Sequence, residues 1–256
     1  MPPQDLDEIF AKTLSDYDSD DAWEAVRVLQ KLASREVFDH ASAWCSLPDP
    51  IKRARGADIL AQIGKTADHP NNSFPNESFV VVSEMLSLET DSLPLASAID
   101  ALGHIEDPRA INLVALYRSH TDAKVRFAVA FALGCFANDP LAELALIELT
   151  ADGDAEVRDW ATFGLGVLGK RDSPEIRDAL AARLDDACDD AREEAMIGLA
   201  KRRDHRVLSP LIRSLESAPV PDRAIEAATE MLGLKDEFER WVATDFADRL
   251  RKKFGM

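Results

Sequence analysis

Apolar residues recur along this chain at the spacing of a helix face. In residues 123–136, Val125, Val129, Leu133 and Phe136 fall on one side of a helical wheel, with Ala132 beside them. Similar amphipathic stretches run from Leu141 to Leu149, Ile176 to Leu184 and Val207 to Leu215. Turn and helix-start signals separate them, such as Ser46-Leu47-Pro48-Asp49-Pro50 and Asp139-Pro140. The pattern predicts pairs of helices joined by short turns.

The pattern also repeats. Residues 122–134 read DAKVRFAVAFALG and residues 154–166 read DAEVRDWATFGLG. They share the Asp, Ala, Val, Arg, Phe, Leu and Gly at the same places. The same ruler falls on Asp49, Arg53 and Leu60-Ala61, and on Asp91 and Leu102-Gly103, where Leu95 replaces Arg. It falls next on Arg192 and Leu199-Ala200, where Cys188 replaces Asp, then on Leu232-Gly233 with both polar residues lost. Asp21 with Leu32-Ala33 is the faintest copy. Anchors near 21, 49, 91, 122, 154, 188 and 221 lie within the 20–45-residue period of stacked repeats. The expectation is one all-α repeat domain over residues 1–256, of about seven helical hairpins. The widest interval predicts an inserted loop at 65–78, and residues 236–254 predict a C-terminal helix that either caps the stack, the capping-helix reading, or makes a dimer.

The shared polar residues have a physical reading. The Asp opens the second helix of each hairpin, where its carboxylate can accept backbone N–H bonds at the positive helix end. The Arg four residues later can reach the Asp or a turn carbonyl of the next repeat. Asp49, Arg53, Asp122, Arg126, Asp154, Arg158 and Arg192 are thus expected to form a structural ladder. An exposed rung would contribute only about 0–1 kcal/mol, so apolar burial between hairpins must supply most of the stability. The Gly or Ala that closes each line lets helices approach closely.

The lines DPIKRARGADILA, DAKVRFAVAFALG and DAEVRDWATFGLG resemble the HEAT-like repeat of the phycobilin-lyase type, D-P-x-V-R-x-x-A-A-x-A-L-G. The segments from Arg158 to Phe163, Ile176 to Asp178, Glu194 to Ala200, Arg206 to Ser209 and Ile225 to Ala228 resemble the small bacterial YibA-type HEAT-repeat proteins. The resemblance implies a right-handed α-solenoid, an armadillo/HEAT-like superhelix, with a protein-binding role. Some proteins of this kind stand beside toxin genes and act as immunity proteins. Others are bilin lyases, so a tetrapyrrole-binding, lyase-like protein is the alternative. No residue of this sequence carries that activity.

In solenoids of this kind the second helices line the concave face. On the wheel of residues 123–136, positions 127 and 131 point away from the core. Position 131, followed through the repeats, gives Asp58, Asp100, Phe131, Phe163, Ile197 and Glu230. Its middle is apolar and its ends are acidic. Phe127 and Trp160 lie near the apolar part, and Glu193, Glu194 and Glu226 beside the acidic end. A partner-binding groove of Phe127, Phe131, Trp160, Phe163, Glu193, Glu194, Ile197 and Glu230 is expected, suited to a basic protein or peptide with an apolar anchor. The competing expectation is that Phe131, Phe163 and Ile197 fold onto neighbouring helices as ordinary packing.

Composition narrows the function. Asp and Glu number 47 against 30 Lys and Arg, a formal net charge of −17. Nucleic-acid binding draws affinity from basic side chains on phosphates, so that class is excluded, and a basic protein partner would be steered toward the chain. Cys45, Cys135 and Cys188 match neither a disulfide framework nor a zinc site. The five histidines have no partner at ligand spacing, and no phosphate loop or nucleophile elbow occurs. The segment from Asp16 to Asp21 lacks the Gly and Glu of a calcium loop. No cofactor, metal or catalytic residue is implied, nor any membrane segment. The sequence reads as a cytoplasmic, non-enzymatic scaffold; it favours a monomer without fixing the oligomeric state.

Overall fold

The computed structural model describes residues 6–234 and 242–256, and every regular element among them is helical. The chain divides into two compact units, Met1–Phe136 and Ala137–Met256.

The first unit stacks four helix pairs: α1 (Leu6–Lys12) with α2 (Asp20–Leu32), α3 (Arg35–Trp44) with α4 (Pro50–Ala61), α5 (Pro75–Leu88) with α6 (Ser92–Ile105), and α7 (Ala110–Ala115) with α8 (Ala123–Gly134). The second helix of each pair packs on the next, α2 on α4, α4 on α6 and α6 on α8. The starts follow from local chemistry. Ser19 and Ser34 accept backbone N–H bonds at the heads of α2 and α3; Asp49 and Asp122 do so at α4 and α8. Proline fits the first turn of α4 and α5, where the N–H has no helical partner. Val125, Val129 and Leu133 are fully buried with Leu60, Leu95 and Leu102, whereas Phe136 is only half-buried.

The second unit pairs α9 (Pro140–Leu149) with α10 (Ala155–Phe163), α11 (Pro174–Ala181) with α12 (Asp189–Lys201), and α13 (Leu208–Leu215) with α14 (Asp222–Leu232). A last helix, α15 (Ala243–Phe254), lies on α13 and α14. The second helices again stack, α10 on α12 and α12 on α14. Asp154 caps α10 through the N–H groups of Glu156 and Val157. Helix α10 runs on into a π-helical turn, Gly164–Leu168.

Two boundaries differ from expectation. The loop expected at 65–78 ends at Phe74, because Pro75 starts α5 and residues 75–78 form its first turn. Asn72 fixes the loop: its amide donates to the Leu60 carbonyl at 2.7 Å and its carbonyl accepts the Phe74 N–H at 2.7 Å. The terminal helix expected at 236–254 begins at Ala243; residues 236–241 lie outside the described residues. It packs on the last hairpin of its unit. Phe246 and Leu250 are buried, and Lys253 donates to the carbonyls of Met231 and Leu232 at the end of α14.

The conserved geometry of the Arg is visible in both units. Arg53 donates to Glu89 at 2.6 and 3.1 Å, to Asp91 at 2.9 Å, and to the turn carbonyls of Leu47 and Pro48. Arg158 donates to both oxygens of Asp186 at 2.9 Å and to the carbonyls of Asp152 and Gly153. Arg126 donates to the carbonyls of His120 and Thr121, and Arg192 to the Asp186 carbonyl and the Asp189 carboxylate. Each Arg thus ties its own turn, and Arg53 and Arg158 also reach a carboxylate of the next hairpin. The carboxylates are buried: Glu89 is 2% and Asp186 3% exposed. The Arg53–Glu89 and Arg158–Asp186 rungs are therefore not weak surface pairs. Asp91, placed at the head of α6, makes no cap bond there and accepts from Arg53 instead.

Candidate partner-binding site

The second helices of the C-terminal unit carry a small pocket of about 200 Å³. Asp159, Trp160 and Phe163 enter it from α10, Asp190 and Glu194 from α12, and Arg223 from α14. Helical spacing explains the set. Asp159, Trp160 and Phe163 share one side of α10, opposite the fully buried Val157, Ala161 and Leu165. Trp160 and Phe163 meet edge to face, ring centroids 5.7 Å apart. The Arg223 guanidinium lies 6.0 Å from the Phe163 ring centre and is paired with Glu194 at 2.8 and 3.1 Å.

The pocket is short of positive charge. It holds three carboxylates and one guanidinium, and the guanidinium is taken by Glu194. Asp159 has a buried Oδ1 with no hydrogen-bond partner among the described residues. Burial pushes its carboxyl up to about 6; the charge of Asp190 adds to this and Arg223 opposes it. Burial likewise raises Glu194 to about 7 against the pull of Arg223. Glu193, half-buried on the same helix, is raised by burial and by Asp190.

The residues expected in the groove are thus only partly gathered. Trp160, Phe163 and Glu194 line the pocket, and Glu193 neighbours it. Ile197 is fully buried and belongs to the core, because the close approach of α12 to its neighbours turns this position inward. Glu194 is 4% exposed, an interior ion-pair residue rather than an open acidic rim. Glu230 is exposed on α14, outside the pocket. In the N-terminal unit Phe127 and Phe131 are half-buried, and Phe131 packs on His104 with ring centroids 4.8 Å apart.

Asp58 and Asp100, expected as the acidic end of a groove, lie inside the N-terminal unit. Arg55 is completely buried there between the rings of Tyr17 and Trp23, 3.8 and 4.6 Å from their centres. It donates to Asp58 at 3.1 Å and to the carbonyls of Thr13 and Tyr17. The Tyr17 hydroxyl donates to Asp58 at 2.8 Å. Asp100 keeps a buried Oδ1 with no hydrogen-bond partner among the described residues, and burial with the nearby Asp58 pushes it up to about 7.

Sequence reasoning did not place Asp159, Asp190 and Arg223 in the site. Asp159 was within reach, because it holds the repeat position of Phe127 and Glu193. Arg223 was not, since the last repeat has lost its signature. Among the described residues no three His, Cys, Asp or Glu side chains come together to hold a metal, and no helix is long and apolar enough to cross a membrane.

A family model for HEAT repeats matches residues 81–166 and 142–233. Protein YibA of Escherichia coli K12 is 32% identical over 231 residues, covering 88% of this chain and 80% of YibA. The X-ray structure of E. coli YibA superposes with a TM-score of 0.74 at 30% identity, over 96% of this chain and 92% of that one. The condensin Cnd3–Cnd2 subcomplex of S. pombe matches at a TM-score of 0.58 and 16% identity, over 97% of this chain and 36% of that chain, a likeness of fold alone.

Proposed function

The chain belongs to the HEAT-repeat family, an α-solenoid scaffold, and from that premise we propose that it is a non-enzymatic, cytoplasmic protein that binds another protein on the face of its second helices. One observation carries this reading. The second helices of the C-terminal unit bring two aromatic rings and three carboxylates to one pocket that holds a single guanidinium. A surface built only for packing would bury such groups or pair them. The net charge of −17 suits a partner with a basic surface, whose approach it would accelerate.

The finer reading is an immunity-type role, in which the basic partner is a toxin domain encoded beside this protein. It rests on the resemblance of the repeats and on the acidity. Co-expression tests it: cells producing the neighbouring toxin should survive when this chain is present, and death at the same rate removes the immunity role.

Capture from lysate of the source cells tests the binding role. The wild-type chain is compared with a Phe131→Glu/Phe163→Glu variant of unchanged helical circular dichroism. A partner retained by the first and lost by the second supports the reading; equal capture by both moves the binding surface elsewhere. Incubation with a bilin, read by visible absorbance, gives the tetrapyrrole alternative its own arm.

A further inference from the structure

The pocket of the C-terminal unit has a chemistry more specific than a general acidic face. Its volume, about 200 Å³, is below the roughly 300–1,000 Å³ of pockets that enclose a small-molecule ligand. It has room for the end of one side chain. Its walls are two aromatic rings set nearly perpendicular, at 76°. Asp159 lines it from α10 and Asp190 from α12. The pocket's own cation, Arg223, is engaged by Glu194 and offsets the Asp159 charge only in part.

We propose that this pocket receives the guanidinium group of a single arginine from the partner protein. The proposal rests on the binding role above and names the chemistry of its anchor. A guanidinium is planar, so it can lie against the Trp160 or Phe163 ring while its edge donates to Asp159 and Asp190. Its N–H groups can donate to the Asp159 and Asp190 carboxylates that line the pocket. A neutral donor would make weaker bonds to these carboxylates, and an anionic guest would be repelled by them. Lysine carries the same charge but offers no flat face and no forked donor pair, so it is the weaker guest. Arg223 sets the limit of the site: its pairing with Glu194 keeps a resident cation out of the guest's place.

The experiment needs no natural partner. The full-length chain is labelled with ¹⁵N, and the Trp160 indole N–H resonance, assigned through a Trp160→Phe variant, is followed during titration with N-acetyl-arginine amide. The lysine amide and the uncharged citrulline amide are titrated in parallel. The expected result is a saturable shift with arginine, at about millimolar affinity for so small a probe. Lysine should bind several-fold more weakly and citrulline should leave the resonance in place. Asp159→Asn, with its other resonances unmoved, should weaken arginine binding by about tenfold or more. An arginine titration that leaves Trp160 unmoved overturns the proposal, as does an equal response to citrulline or an unchanged affinity in Asp159→Asn. Because the probe is not the partner, partner capture can fail while the pocket binds arginine, and the reverse. The two readings therefore fall separately.

Discussion

Gly198 of α12 faces Gly166 so closely that a Cβ on Gly198 would lie 2.7 Å from the Gly166 Cα. The N-terminal unit repeats the relation, since a Cβ on Gly103 would lie 2.7 Å from the Ala132 Cα. In each case the small residue that ends one second helix meets a small residue in the next second helix. Burial of the apolar side chains around these contacts depends on the approach, because backbone atoms occupy the space and cannot rotate away. Gly198→Ala should therefore destabilise the protein by about 1–3 kcal/mol. Urea unfolding followed by circular dichroism measures this, and an unchanged midpoint would mean that the helices separate at no cost.

The same contacts show what was legible in the sequence. The terminal Gly or Ala of each repeat announced close packing because the reason is local and recurs in every copy. The Asp caps were readable on the same ground. Ile197 and Asp58 were misplaced because a helical wheel treats each helix as standing alone. Ile197 turns inward because neighbouring helices close over α12, and Asp58 is drawn in by Arg55, whose partners Tyr17 and Thr13 come from a distant part of the chain. Part of the pocket was legible through Trp160, Phe163 and Glu194. Arg223 lies in a repeat whose signature has decayed, so no ruler could reach it.

Arg202 illustrates a buried charge held mainly by backbone carbonyls, with the Asp172 carboxylate at 4.0 Å. It is 8% exposed and donates to the carbonyls of Leu165, Gly166, Gly169, Arg171 and Gly198 at 2.8–3.2 Å. Two of these, Leu165 and Gly166, belong to the π-helical turn after α10, where the altered bonding leaves carbonyls for a side-chain donor. Arg202→Met preserves the length of the side chain but removes every donor. It should cost about 3 kcal/mol or more, because the carbonyls stay buried and unpaired. Thermal unfolding should show a lower midpoint than that of Arg203→Met, whose guanidinium has a single described bond, to the Met231 carbonyl.

The rung between Arg158 and Asp186 gives the protein a stability that acid removes. Arg158 bonded to the carboxylate, helped by the Cys188 N–H and by Arg183, holds Asp186 down to about 2 from its ordinary 3.8. A carboxyl lowered in the folded state contributes its full share above the unfolded value. That share is lost as pH falls from about 4 toward 2. Its size is about 2 kcal/mol. Asp186→Asn should be less stable than wild type by about that amount at pH 7, and the gap should narrow on acidification. Urea titrations at several pH values would show it; a gap of constant size would assign the loss to packing instead of charge.

Asp100 has the opposite sign. Its carboxyl is raised from 3.8 to about 7 by burial and by the charge of Asp58, and its Oδ1 has no described partner. A carboxyl raised in the folded state is tolerated while protonated. The folded state then loses stability as pH climbs from the unfolded value of 3.8 through about 7, because the unfolded chain ionises more readily. Asn cannot ionise and offers donors to the neighbouring Asp58. Asp100→Asn should therefore raise stability at pH 8 by about 1–3 kcal/mol and change it little at pH 4. Unfolding midpoints of the two proteins at pH 4 and pH 8 decide the matter. A variant destabilised at both values would mean that the Asp100 carboxylate contributes to the fold through a bond to which its ionised form is essential, and that burial does not govern its titration.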